Sequence, residues 1–137
     1  MKQAEIVVIG GGPAGLCAAM SAAKSGAGVL IIDRNKSLGG QLVKQTHMFF
    51  GSEKQYASTR GIDIPEILLK ELAKYKDKVE IKTNSTAVGF YEDGVITVLE
   101  KEDKYYKVEP KAVVVATGAY EKFLSFPNND LPGIYGA

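Results

Sequence analysis

The chain alternates between short, wholly apolar runs and longer stretches with helical periodicity. Ile6-Val7-Val8-Ile9, entered from Glu5, is apolar at every position, the pattern of a strand covered on both faces of a parallel sheet. Gly10-Gly11-Gly12 breaks it, and an Ala-rich stretch follows from Pro13 to Ser25, with Leu16, Cys17 and Met20 as its larger side chains. This stretch predicts a helix. Pro13 suits its first position, where a missing N–H has no partner to lose, Lys24 suits the last turn, and Gly26 can cap it. Val29-Leu30-Ile31-Ile32 is a second apolar run. Strand, helix and strand within about 30 residues predict a right-handed βαβ unit with parallel strands.

The segment from Arg34 to Asp63 shows no clear periodicity, and a loop of that length inside a domain is usually functional or mobile. Ile64 to Lys76 predicts an amphipathic helix with Ile64, Ile67, Leu68, Leu72 and Tyr75 on one face. Val79 to Lys82 reads as a third strand. Three further strands are expected over Ala87–Tyr91, Val95–Leu99 and Tyr105–Val108, the first two joined through Glu92-Asp93-Gly94, a strong hairpin signal. Ala112 to Ala116 is again apolar and predicts a fully buried strand ending at Thr117-Gly118. The tail from Ala119 to Ala137, with Pro127, Pro132, Gly133 and Gly136, reads as extended or loop-like. The fold class expected is α/β, a Rossmann-like parallel sheet with helices and an inserted three-stranded antiparallel meander, in one domain over residues 1–137.

Composition narrows this little. At 45% hydrophobic and 24% charged residues, the chain is ordinary for a globular domain. A net charge of +1 carries no basic excess, so neither nucleic acid nor an anionic membrane is expected as a partner. The single cysteine, Cys17, leaves no internal disulfide or CxxC pair, and it reads as a small buried helix residue rather than a redox thiol. No run is apolar for long enough to span a bilayer. Lys2 and the apolar run after it superficially resemble a secretion signal; Glu5 and the glycine break oppose that, and a cytoplasmic location is expected. No cluster has metal-ligand spacing.

The candidate chemistry lies at the glycine break. Gly10, Gly12 and Gly15 have the G-x-G-x-x-G spacing between a strand and a helix. In that arrangement the first glycine permits a tight turn, the second a close approach of backbone to a pyrophosphate, and the third close packing of helix on strand. The helix N-terminus then offers free N–H groups and a positive dipole end to an anion. Asp33 lies at the end of the second apolar run, 18 residues beyond Gly15, where a carboxylate can accept hydrogen bonds from a ribose. It also repels a 2′-phosphate, an exclusion weakened by Arg34. From the residues alone, Gly39-Gly40 is equally loop punctuation, while Thr117-Gly118 as a mere strand end is the weaker of its two readings. His47, the only histidine, sits in the long loop near Gln41 and reads more simply as an incidental surface or packing residue. No catalytic acid, base or nucleophile is picked out.

Asp33, Gly39-Gly40-Gln41 and Ala116-Thr117-Gly118, taken with the glycine fingerprint, resemble the N-terminal FAD-binding part of the two-dinucleotide-binding-domain flavoproteins, which include the pyridine nucleotide-disulfide oxidoreductases. Gly39-Gly40-Gln41-Leu42 is most similar to the thioredoxin reductase branch. The run from Phe126 to Gly133 is more similar to flavoprotein subunits that oxidise amino acids or opines. The resemblance implies that Gly10, Gly12, Pro13, Ala14 and Gly15 hold the FAD pyrophosphate. Asp33 would bind the adenosine ribose, with Arg34 nearby. Gly40 and Gln41 would reach the ribityl or flavin end, Ala87 would meet the adenine through its backbone, and Thr117 and Gly118 would close over the cofactor. The implied activity moves a hydride or electrons between a reduced nicotinamide or organic substrate and an acceptor through FAD. Relative to that family, the expectation is an incomplete domain, lacking the NAD(P)H domain and the C-terminal FAD segment, and a candidate partner is a second subunit. Two other readings stay open: an NAD-binding module, and a non-catalytic subunit or fragment of a split flavoenzyme that binds an ADP-containing ligand.

Overall fold

Why the apolar runs become strands and the Ala-rich stretch a helix is visible in how they pair. The computed structural model describes residues 1–135; of the expected tail, Gly136 and Ala137 lie outside the described residues. In chain order the elements are β1 (Lys2–Ile9), α1 (Pro13–Lys24), β2 (Val29–Ile32), α2 (Ile64–Leu72), β3 (Val79–Lys82), β4 (Ser85–Phe90), β5 (Ile96–Glu100) and β6 (Lys104–Val115). The sheet order is β3-β2-β1-β6-β5-β4. β1 runs parallel to β2 on one side and to β6 on the other, and β2 runs parallel to β3. β4, β5 and the start of β6 pair antiparallel. The chain is thus the expected α/β, Rossmann-like sheet with an antiparallel meander.

The third meander strand and the last parallel strand prove to be one. β6 pairs with β5 over its first residues and with β1 over the rest, and Val108 is in register with both Ile96 and Lys2. The apolar pattern divides it in two because Glu109-Pro110-Lys111 interrupts the run. Proline lacks a ladder donor but is tolerated where one side of a strand is unpaired. Beyond Val108 no described strand pairs with the outer edge of β6. Val114 and Val115 are accordingly exposed, Val115 by 67%, so the Ala112–Ala116 run is not the fully buried strand expected. Apolarity made it a sheet strand; burial depends on a neighbour that the described residues do not supply.

Two cores flank the parallel sheet. On one face Val8 and Ile31 meet Leu16, Ala19 and Ala23 of α1 and Ile64, Leu68 and Leu72 of α2. On the other, Val7, Leu30 and Ile32 meet Ile96, Val98 and Val108, so the meander folds back over the sheet. α2 is shorter than predicted: it ends at Leu72 and continues as a 3-10 turn over Ala73–Tyr75. Ile67 falls off its apolar face and is exposed, while Pro65 is buried in its place. β1 starts at Lys2, earlier than predicted, because it is in register with the long β6. The hairpin at Asp93-Gly94 forms as expected, with Gly94 at φ 81° and the Val95 N–H donating to Asp93 Oδ1 at 3.1 Å.

The Arg34–Asp63 segment holds short 3-10 turns at Gly40–Lys44 and Glu53–Gln55 and an isolated antiparallel bridge between Met48 and Arg60. The described tail carries no helix or strand. Among the described residues no helix is long and apolar enough to cross a membrane.

Candidate functional site

β1 ends at Ile9, and the chain reverses at Gly10 to enter α1. Gly10 stands at φ 105°, and a Cβ there would lie 2.3 Å from the Ala116 carbonyl oxygen. The glycine therefore lets the end of β6 close onto the turn, and the Ala116 N–H donates to the Ile9 carbonyl at 2.8 Å. A Cβ on Gly15 would lie 1.8 Å from the Gly10 carbonyl oxygen, so this glycine sets how near α1 sits to β1. The packing of α1 on β1 at Gly15 is what the spacing predicted; the approach of β6 to Gly10 is additional to the tight turn expected there.

Gly12 differs from its neighbours. Its backbone is extended, and the nearest atom to an added Cβ is the Gly40 Cα at 3.7 Å. Nothing within the protein therefore demands glycine at this position. What a methyl group would occupy is the space before the N-terminus of α1. That end carries no side-chain cap and no acidic residue in its first turn, and Pro13 and Ala14 are exposed beside it. Leu16 N–H donates to the Gly12 carbonyl as the first helical bond, at 2.9 Å, which leaves the N–H groups before it without helical acceptors. A phosphate-bearing ligand fits both the open volume and the donors.

Asp33, at the end of β2, is buried, with 6% of its surface exposed. Its Oδ2 accepts the Gly11 N–H at 2.6 Å and its Oδ1 the Asn35 N–H at 2.7 Å. Gly11 and Asn35 are not singled out by the sequence. A Cβ on Gly11 would lie 2.3 Å from Leu38 Cδ2, so the Leu38 side chain would have to shift to admit one. The only sequence signal for the role of Gly11 is its place between Gly10 and Gly12. A carboxylate has about four lone-pair sites, so two remain for a ribose.

The Gly39-Gly40 loop meets the same turn. Gly39 N–H donates to the Gly11 carbonyl at 2.8 Å. Gly39 and Gly40 have φ of 121° and 56°, and a Cβ on Gly40 would lie 2.8 Å from the Gly12 Cα. The loop is thus packed onto the fingerprint and is more than punctuation. Gln41 and Pro13 both line a cavity of about 540 Å³ on the α1–α2 side of the turn. Ser85 N–H donates to the Asp33 carbonyl at 2.9 Å, anchoring the start of β4 beside the site and setting Ala87 two residues farther along that strand. Ala87 is half-buried and packs into the core on the meander side. Thr117 and Gly118 continue from Ala116; Gly118 is exposed, as is Arg34, and Thr117 lies at the open end of the sheet. Cys17 is exposed on α1, contrary to the buried position expected, because it points away from the face that carries Leu16 and Ala19. His47 stacks on Phe49 in the long loop, with ring centroids 5.4 Å apart.

Residues 4–136 match the family model described as pyridine nucleotide-disulphide oxidoreductase. The chain belongs to this family. It is an FAD-binding domain with a Rossmann-like fold. Among solved structures it is similar to L-proline dehydrogenase from P. horikoshii, with TM-score 0.81 and 28% identity over 96% of this chain and 26% of that one. It is also similar to thioredoxin reductase from Streptococcus pyogenes, with TM-score 0.65 and 26% identity over 93% of this chain and 39% of that one. A curated relative, the hydrogen cyanide synthase subunit HcnB from Pseudomonas protegens, is 28% identical over 93% of this chain and 27% of its own length. The chain therefore spans about a quarter of the length of that relative. A subunit of opine oxidase from Agrobacterium tumefaciens is 30% identical over 97% of this chain, again with 27% of its own length covered.

Proposed function

We propose that the glycine turn, Asp33 and the Gly39–Gln41 loop form one FAD site in an oxidoreductase that moves reducing equivalents between a reduced nicotinamide or organic substrate and an acceptor. The observation that carries this reading is Gly12, glycine with no protein atom to require it and open volume before a helix N-terminus. The N–H groups of Ala14 and Gly15 donate to the pyrophosphate, with Gly10, Gly12 and Pro13 shaping the turn around it. Asp33 accepts from the adenosine ribose with the lone pairs left free by Gly11 and Asn35, and Arg34 flanks it. Ala87 meets the adenine through its backbone. Gly40 and Gln41 face the ribityl and flavin end, while Thr117 and Gly118 close the sheet edge over it, where open α/β sheets receive ligands. FAD, when bound, supplies the two-electron redox chemistry; the chain supplies position and electrostatics.

Titration of the purified chain with FAD, followed by flavin absorbance and fluorescence, tests the reading. Saturable binding that ADP competes away is the expected result. A protein that binds NADH and not FAD would overturn it in favour of an NAD module.

A second reading within the same chemistry is favoured by the outer edge of β6, where Val114 and Val115 are exposed and no described strand pairs. Here the chain is one part of a split flavoenzyme whose nicotinamide-binding part lies on another subunit. Co-purification with such a partner supports it. The cytoplasm is the proposed location, on the strength of Glu5 and the glycine break within the N-terminal apolar stretch.

A further inference from the structure

The 540 Å³ cavity on the α1–α2 side of the turn lies within the range of small-molecule sites, about 300–1,000 Å³. Leu42, Phe49, Ile64 and Leu68 give it an apolar wall. Its polar groups are unevenly charged. Lys54 is the one cation among the lining residues, and no aspartate or glutamate lines it. Glu53 precedes Lys54 on the same 3-10 turn but is not part of the lining. Among the described residues no carboxylate pairs with Lys54. Gln41 and Gln45 add carboxamides with no hydrogen-bond partner among the described residues, whereas Gln55 Oε1 is taken by the Ser52 hydroxyl.

The geometry points to a second site in this cavity, for a small organic monoanion: a carboxylate on an apolar body. The ammonium of Lys54 and the carboxamide N–H groups of Gln45 receive the carboxylate, and the apolar wall receives the body, while Gln41 is left to the cofactor. An amino acid is disfavoured, because its ammonium meets no acidic side chain. Pro13 and Gln41, shared between this cavity and the proposed FAD site, place the anion beside the cofactor. That the anion is the organic redox substrate rests on the FAD reading above; its binding does not.

Cys17 also lines the cavity, is exposed, and is the only cysteine, so its alkylation reports on occupancy. The test measures the rate of Cys17 alkylation by iodoacetamide in the chain saturated with FAD, with three probes that share a carbon skeleton: phenylpropionate, phenylpropanol and phenylalanine. Phenylpropionate is expected to slow the reaction saturably, since a seated ligand covers the cavity wall that carries Cys17. Phenylpropanol and phenylalanine should need higher concentrations for the same effect. Lys54→Met should raise the phenylpropionate concentration for half-protection by about three- to tenfold, as expected for one partly exposed charged partner, and Lys54→Arg should restore it. Calorimetric titration of phenylpropionate checks the same affinities without the thiol. The proposal is overturned if phenylpropionate gives no protection, if the alcohol or the amino acid protects equally well, or if Lys54→Met changes nothing. It is likewise overturned if FAD alone shields Cys17 completely, since the cavity is then part of the cofactor's own site. FAD titration of the same samples separates the readings: lost anion binding with FAD binding intact removes this proposal alone, whereas lost FAD binding with Cys17 protection intact removes only the cofactor reading.

Discussion

The Gly11 main-chain N–H donates to Asp33 Oδ2 at 2.6 Å, inside the structure, where Asp33 is 6% exposed. The residue expected to bind a ribose therefore also holds the glycine turn against the end of β2. A second bond, from the Asn35 N–H to Oδ1, fixes the carboxylate plane. The orientation of the Asp33 carboxylate is thus set by the protein's own main chain.

Asp33→Ala should consequently damage folding and binding together. A hydrogen bond to a charged group is worth about 1.5–3 kcal/mol, and the Gly11 N–H is left buried without an acceptor, so a stability loss of roughly 2–4 kcal/mol is expected in urea unfolding. Affinity for ADP should fall on the order of ten- to a hundredfold from lost ribose contacts. Asp33→Asn, whose amide can serve one N–H and not both, should fall between. Unchanged ADP and FAD affinity in a folded Asp33→Ala protein would remove Asp33 from the site.

Gly12→Ala should do the opposite. Its Cβ meets nothing closer than the Gly40 Cα at 3.7 Å, and its backbone is extended, so unfolding should shift by less than about 0.5 kcal/mol. FAD and ADP binding should be strongly reduced, because the methyl group fills the approach to the helix N-terminus. Gly15→Ala and Gly10→Ala serve as controls: their Cβ atoms would lie 1.8 Å and 2.3 Å from carbonyl oxygens, and both variants should lose fold and binding alike. Parallel loss of stability and affinity in Gly12→Ala would make it a structural glycine.

These contrasts show which parts of the site are legible in the residues. The strand–glycine–helix unit and Asp33 can be read because each obeys a local rule of spacing and periodicity. Gly11 and Asn35 cannot, since their contribution is a main-chain N–H that no side chain advertises. The structural role of Asp33, holding the Gly11 and Asn35 N–H groups, is hidden for the same reason. β6 reads as two strands because Glu109-Pro110-Lys111 breaks the alternation where the strand changes partners. Cys17 is exposed because the buried face of α1 runs through Gly15, Leu16, Ala19 and Ala23, and an Ala-rich helix with few large side chains leaves the choice of that face weakly specified in the sequence. The cavity beside Gln41 is assembled from α1, α2 and the irregular loop, and no single stretch carries its pattern.

Val8 and Val115 test the unpaired edge of β6. Both sit in parallel strands of the same sheet, yet Val8 is 0% exposed and Val115 67%. Val8→Ala should cost about 2 kcal/mol, from roughly 0.8 kcal/mol for each buried carbon removed and a small cavity term. Val115→Ala should change stability by less than about 0.5 kcal/mol. Equal costs, measured by urea unfolding, would mean that the outer edge of β6 is covered in solution.

Glu5 links β1, the approach to β2 and β6 at the opposite end of the sheet, and it gives stability a pH dependence. Its Oε2 accepts the Gly28 N–H at 2.6 Å, and Oε1 lies 3.3 Å from the Lys111 ammonium. The Gly28 hydrogen bond first, and Lys111 second, hold its carboxyl below the ordinary value of 4.5. A carboxylate with a depressed folded-state value binds protons more readily when unfolded. Its contribution is therefore fully present above pH 4.5 and is lost as pH falls through the folded-state value. Glu5→Gln keeps the shape and an acceptor but removes the charge. The melting temperatures of the two proteins should differ at neutral pH, with Glu5→Gln lower, and should converge as the pH is taken down through that window. Because Lys111 Nζ is one of the partners, added salt should narrow the gap at neutral pH without closing it, since the Gly28 hydrogen bond is short-ranged and little screened. A gap that persists unchanged at low pH would mean that Glu5 acts there through packing and not through its charge.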